Sequence, residues 1–344
     1  MAIAADSHAT PAPERRPGEF ARHPNTGAPY VAHPTATSKR QGNKAELIAE
    51  ASRLGTEIPA KATVAQLHEL LGPRPSMVMY GRPSSLGKQI ENMTNIQKWS
   101  ERAVALGVWL DFVAAAEAAA RPELLIGLEE LGADHWNLDD ADAREVLDKI
   151  AVKAKNLAQA GLAADRGTHV HERTEDHDTE RDWIEAANRG EDLGLPVEVQ
   201  AALIAAWTAM LEKYDLEVLA VEASCVDDIW RQAGTLDRIA RLRRDLVFIL
   251  PTGEKVTIPA FTVLILDIKT GKLRLDRSGF VSYWHGYSVQ LASYAQSLPY
   301  DPDTDTRGEW EWPIAQDYAI IAHLDVLAAL EGEAVCRLVL VDRQ

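Results

Sequence analysis

From about residue 217 the apolar residues change their period. Upstream they recur at three-to-four spacing, whereas "LEVLAVEASCV", "WRQAGTLDRIARL", "DLVFILPTGEKVTI" and "FTVLILDIKTG" follow in close succession and are rich in β-branched residues. Pro251-Thr252-Gly253-Glu254 supplies a hairpin turn within them. A chain patterned in this way has to build a sheet and cover it. One further helix, "SYWHGYSVQLASYAQSL", and two late strands, "DYAIIAHL" and "AVCRLVLVD", complete an α/β (α+β) core, a central mixed β-sheet flanked by helices.

The rest of the chain divides ahead of that core. Residues 1–42 are rich in Pro, Ala, Thr and His with few large apolar side chains, which predicts a disordered arm. Residues 43–73 place Leu47, Ile48 and Ala51, then Leu67, Leu70 and Leu71, at helical spacing, with Thr63 as a cap between them. This helix-loop-helix resembles modules of the SAP type, small units often used to touch DNA; a helical docking unit is the other reading. Residues 74–87, with two prolines and two glycines, predict a linker. Residues 88–160 read as a helical lobe, and the core occupies 161–344.

Charge and cysteine content exclude several function classes. With 36 Lys and Arg against 52 Asp and Glu, the net charge is −16, so any nucleic-acid site must be local. Two cysteines, Cys225 and Cys336, provide neither a disulfide framework nor a four-cysteine metal site, and a reducing, cytoplasmic setting is expected. No apolar run long enough for a membrane span and no signal-peptide core is present, so no membrane partner is expected. A phosphate-loop pattern is also missing, so the chemistry needs no ATP.

The chemistry-bearing residues gather at the end of one apolar run. In "LILDIKTG", Asp267 and Lys269 are two residues apart on a strand and share a face. A carboxylate there suits a hard divalent cation, and an amine beside it suits a water or a developing phosphate charge. Thirty residues upstream stands Asp237, preceded by Gly234, on another strand-like segment. A meander through the intervening hairpin brings Asp237 and Asp267 to neighbouring strand ends, where a cation relieves their repulsion. Arg231, Arg238, Arg241, Arg243 and Arg244 surround Asp237 and supply a local positive patch.

Asp237 followed by Asp267-Ile268-Lys269 resembles the PD-(D/E)XK nuclease superfamily, in its RecB-like exonuclease branch. "RGTHVHERTE" is similar to the branch's first motif with His171 at the matching position, "VEASCV" supplies Glu222, and "YSVQLASYA" supplies the Gln290-x-x-x-Tyr294 pair. The resemblance covers roughly residues 160 to 342 and extends to stand-alone exonucleases of actinobacterial phages. It implies a restriction-endonuclease-like core and a metal-dependent DNA exonuclease acting in recombination, repair or processing inside a bacterial host cell. It also implies that His171, Asp237, Asp267 and the Ile268 carbonyl ligate one or two Mg²⁺ or Mn²⁺ ions, with Lys269, Asp267, Asp237 and Glu222 catalytic. Gln290 and Tyr294, together with Arg238 and Arg241, are implied to contact DNA or brace the site.

The iron–sulfur cluster carried by some relatives is not expected here, for want of cysteines. Besides DNA, a recombination or single-strand-binding protein is an expected partner, and an oligomer is compatible with the pattern. Two other readings stand beside the nuclease. A catalytically idle DNA- or partner-binding module would keep the fold without the chemistry. A zinc hydrolase would use His169-x-His171, but it needs repeating β/α units that the meander does not provide. His169 is therefore expected to be structural. Trp284, Tyr287 and Tyr294 are expected to pack on a helix face, with base stacking as the alternative.

Overall fold

The computed structural model describes residues 18–24, 26–38, 42–89, 94–130, 141–181, 184–275, 277, 279–281 and 285–342. In chain order the elements begin with β1 (Tyr30–Ser38), α1 (Lys44–Arg53), α2 (Val64–Leu71), β2 (Arg74–Met79) and α3 (Pro83–Gln89). The helical lobe follows as α4 (Thr94–Glu117), α5 (Glu123–Glu130) and α6 (Ala141–Leu157). The core opens with α7 (Leu162–Asp178), α8 (Ile184–Asp192) and α9 (Val197–Tyr214). Then come β3 (Leu216–Asp227), β4 (Gln232–Leu242), β5 (Leu246–Ile249), β6 (Lys255–Ile258) and β7 (Val263–Lys269). The chain continues with α10 (His285–Gln296), β8 (Leu298–Asp301), β9 (Thr306–Arg307), β10 (Ile314–Leu324), α11 (Val326–Leu330) and β11 (Cys336–Asp342).

Seven strands form the central sheet in the order β11-β10-β7-β4-β3-β8-β9. Only the β7–β10 pair is parallel, so the sheet is mixed, and the chain between those two strands runs through α10. The run "VLILDIK" is apolar throughout because both of its faces are covered. Leu264, Leu266 and Ile268 pack on the side of Val170, Leu203, Trp207 and Met210 from α7 and α9. Val263 and Ile265 face Leu291, Tyr294 and Ala295 of α10. The expected α+β architecture, a mixed sheet between helices behind an N-terminal helical lobe, is what the chain adopts.

Toward the N-terminus the helix-loop-helix forms around Leu47, Ala62 and Leu67. Its helices start at Asn43 and Thr63, each closing a capping box, with Glu46 and Gln66 respectively. Ile48 and Leu70, expected on its apolar faces, are exposed.

Two stretches read as unstructured carry strands. β1, from the expected arm, pairs antiparallel with β2, from the expected linker. Phe20 stacks on Tyr300 at 5.4 Å, the Ala32 amide donates to the Tyr300 hydroxyl, and Arg307 donates to the Ala32 carbonyl. Few apolar residues suffice here because the core supplies the other half of the contact. Residues 1–17 of the expected arm lie outside the described residues. Among the described residues, no helix is long and apolar enough to cross a membrane.

Candidate active site

The site lies where β4 and β7 part. Their ladder runs from Arg241↔Val263 to Arg238↔Leu266 and goes no further toward the end of β7. There the Asp237 side chain takes over, its carboxylate accepting a 2.7 Å hydrogen bond from the Ile268 amide. The same Oδ2 lies 3.5 Å from Nδ1 of His171, carried in by α7. On the other side of β4, Glu222 interrupts the β3–β4 pairing between Val221↔Arg238 and Ala223↔Leu236. Its φ of +47° lies in the left-handed region that disfavours a side-chain-bearing residue. One ligand atom from each of His171, Glu222 and Asp237 falls within 4.8 Å of the others.

Helix α7 reaches the strand end because Gly167 permits it. A Cβ at that position would stand 2.7 Å from Oγ1 of Thr270, immediately after β7. On the neighbouring turn His169 is buried and contacts Gln200 at 3.0 Å, with Gly190 pressed against both. His169 is a packing residue, as expected, and His171 alone of the pair faces the carboxylates.

The electrostatics are set by partial burial of several acids close together. Burial and then the adjacent Asp237 push the Glu222 carboxyl up to about 8, with Arg238 opposing the shift and Glu175 adding to it. Burial raises Asp267 as well, Lys269 pulling it down and Asp237 pushing it up. Burial works against the charge of Lys269, but Asp267 and Asp237 outweigh it and raise the ammonium above its ordinary value. Lys269 is ion-paired to Asp267, and its Nζ lies 4.9 Å from the centre of the Tyr287 ring on α10. Behind it Tyr294 is buried and bonded to Gln290, its hydroxyl raised well above the ordinary range by burial, then by Cys225, Asp237 and Asp267. Trp284 lies outside the described residues.

The ligand set drawn together therefore differs from the one the family pattern implied. Glu222 stands as third donor beside His171 and Asp237, whereas the Asp267 carboxylate turns to Lys269. The Ile268 carbonyl lies 3.4 Å from the same ammonium. Arg238 does not belong to a positive surface patch: it is fully buried. It donates to Asp178 at 2.7 Å, to the Asp237 carbonyl at 2.7 Å, to Thr174 at 3.2 Å and to Glu222 at 3.3 Å. The Trp207 ring lies 5.8 Å away. Arg241 and Arg243 both pair with Glu217, and Arg244 bonds the Lys213 carbonyl, so these arginines answer charges of their own surroundings.

Asp178, Thr174 and Glu175 are the site residues that sequence reading missed. Thr174 and Asp178 stand three and seven residues beyond His171 on one helix. That spacing places all three on a single face, and this was the available signal. Both carboxylate oxygens of Asp178 are used, one by Arg238 and the other by the Trp207 indole at 2.9 Å.

One imidazole nitrogen and two carboxylates make a donor set suited to a divalent cation. The site is thus a candidate His/Glu/Asp metal centre with a half-buried lysine at its side. No protein-family model matches the chain, and no curated protein matches it.

Proposed function

We propose that this chain is a metal-dependent deoxyribonuclease, a DNA exonuclease of the PD-(D/E)XK type in its RecB-like branch, serving DNA recombination, repair or processing in a phage or mobile element. The observation that carries the reading is the convergence of His171 from α7, Glu222 from β3 and Asp237 from β4 at the sheet end that carries Lys269. His171, Glu222 and Asp237 would hold Mg²⁺ or Mn²⁺. A cation bound there supplies charge stabilisation for a phosphodiester and a more acidic water.

The chain's own groups do the remaining work. Lys269 is held protonated by Asp267 and Asp237, so it serves as a fixed cation and hydrogen-bond donor toward a phosphate oxygen or the attacking water. Asp267 keeps that ammonium at the strand end, and Tyr287 closes over it. Asp237 clamps β4 to the Ile268 amide and so fixes the distance between the carboxylates and the lysine. Gln290 and Tyr294 brace this arrangement from α10.

The test is degradation of end-labelled linear single- and double-stranded DNA with Mn²⁺ or Mg²⁺, beside a closed circle and the Lys269→Ala variant. Loss of linear DNA with the circle intact, abolished in the variant, supports an exonuclease. Binding without cutting under either metal would instead leave an idle DNA-binding module.

A further inference from the structure

The turn between β3 and β4 exposes two large apolar side chains on a firmly held backbone. Ile229 is 84% exposed and Trp230 is 63% exposed, side by side at its tip. Their backbone is pinned from several directions. The Asp227 carboxylate accepts from the amides of both Ile229 and Trp230, at 2.9 and 3.1 Å. Gln232 donates to the Trp230 carbonyl, and the Arg231 carbonyl accepts from the Gly81 amide at 2.8 Å. Asp228 is gripped through two nitrogens of Arg307 and by the Tyr80 hydroxyl. Below the turn, Phe20, Val31, Tyr80, Val226, Ala233 and Tyr300 form a small apolar cluster of their own.

An indole exposed on so rigid a base costs little ordering entropy when it binds something. Its setting defines the partner. Because Arg307 answers the charge of Asp228, the exposed Arg231, next to Trp230 in the chain, leaves the turn with a positive charge on a chain of net charge −16. An exposed aromatic face with an arginine beside it in the turn fits the stacked bases and phosphates of a single nucleic-acid strand.

Position completes the case. β4 is antiparallel to β7, so the turn lies at the end of the sheet where Lys269 sits. From Asp237 back to Gln232 is about 17 Å at 3.3 Å per strand residue, roughly five nucleotides at 3.4 Å each. We infer that Ile229 and Trp230, with Arg231 next to them in the turn, form a stacking platform for single-stranded DNA about five nucleotides from the site of cleavage. This rests on the nuclease reading for its substrate, while its test does not require cutting.

The full chain, with Trp230→Ala, Trp230→Phe and Arg231→Ala, is titrated by fluorescence anisotropy against labelled single strands of about twenty and about four nucleotides, with chelator present. Cleavage of the same strands is then followed with Mn²⁺. Trp230→Ala is expected to bind the long strand about 10-fold more weakly, with Trp230→Phe close to wild type and the short strand unaffected. Arg231→Ala is expected to lower the salt dependence, which Trp230→Ala leaves unchanged. Equal affinity of Trp230→Ala and wild type for the long strand overturns the platform even if cutting proceeds. Trp230-dependent binding without cutting upholds the platform and removes the nuclease reading. Loss of self-association in Trp230→Ala with DNA binding intact would show the tip to be an interface between copies, and would also overturn it.

Discussion

At the scale of single residues, the site is a problem in charge that Arg238 and the proposed cation solve together. Glu222, with its pKa raised to about 8, keeps its proton at neutral pH while no cation is bound. A cation must displace that proton, so affinity rises with pH up to about 8 and then levels. Calorimetry of Mn²⁺ binding in buffers of different ionisation heat should count one proton released near pH 7 in the wild type. Glu222→Gln should bind more weakly with a flat profile; an unchanged slope in that variant would place the proton elsewhere. Arg238 carries the opposite role. Arg238→Met strands the buried Asp178 without its cation and should cost about 3–5 kcal/mol in urea unfolding, whereas adding Asp178→Asn should recover part of it. A pair that merely filled space would show no such recovery.

Among elements, the decisive contact is the approach of α7 to the end of β7. Gly167→Ala would set a methyl 2.7 Å from the Thr270 hydroxyl, which must turn aside or push helix and strand apart and move His171 from Asp237. The expected loss is about 1–3 kcal/mol of stability together with metal binding. Thr270→Ala removes the crowded oxygen while the Thr270 Cβ stands 3.9 Å away, an ordinary contact. The double variant should therefore regain both properties, read by thermal melts and Mn²⁺ titration, and failure to regain them would mean Gly167 serves the helix rather than the interface. This contact was half legible. "RGT" ahead of His171 signalled a special helix, but the partner Thr270 lies more than a hundred residues on, and no local pattern joins the two.

For the whole molecule, the N-terminal segment belongs to the core rather than trailing from it. Phe20 and Val31 are buried against Tyr80, Val226 and Tyr300, so removing residues 1–38 uncovers that cluster at the foot of the β3–β4 turn. Burial of two such side chains amounts to about 3 kcal/mol or more. Differential scanning calorimetry should then show the melting temperature falling by roughly 4 °C or more. An unchanged melting temperature would return the segment to the status of a loose arm.

The sequence by itself determined the sheet, its covering helices and most of the candidate residues. Period, turn chemistry and charged residues at the ends of apolar runs are local properties that hold wherever the chain goes. Asp237, Asp267 and Lys269 were legible in that way, whereas His171 and Glu222 were singled out only by the family resemblance. Only the tertiary structure decided which of them meet. The splitting of β4 from β7 gave Asp237 the Ile268 amide, the kink at Glu222 brought a third carboxylate inward, and Lys269 claimed Asp267. The same packing turned Arg238 from a surface charge into the buried tie between α7, β3 and β4, and drew an apolar-poor N-terminus onto a surface that completes it. Long-range pairing depends on which surfaces are left to be buried once the core has formed, and that information is held by the assembled elements, not by any one stretch of the chain.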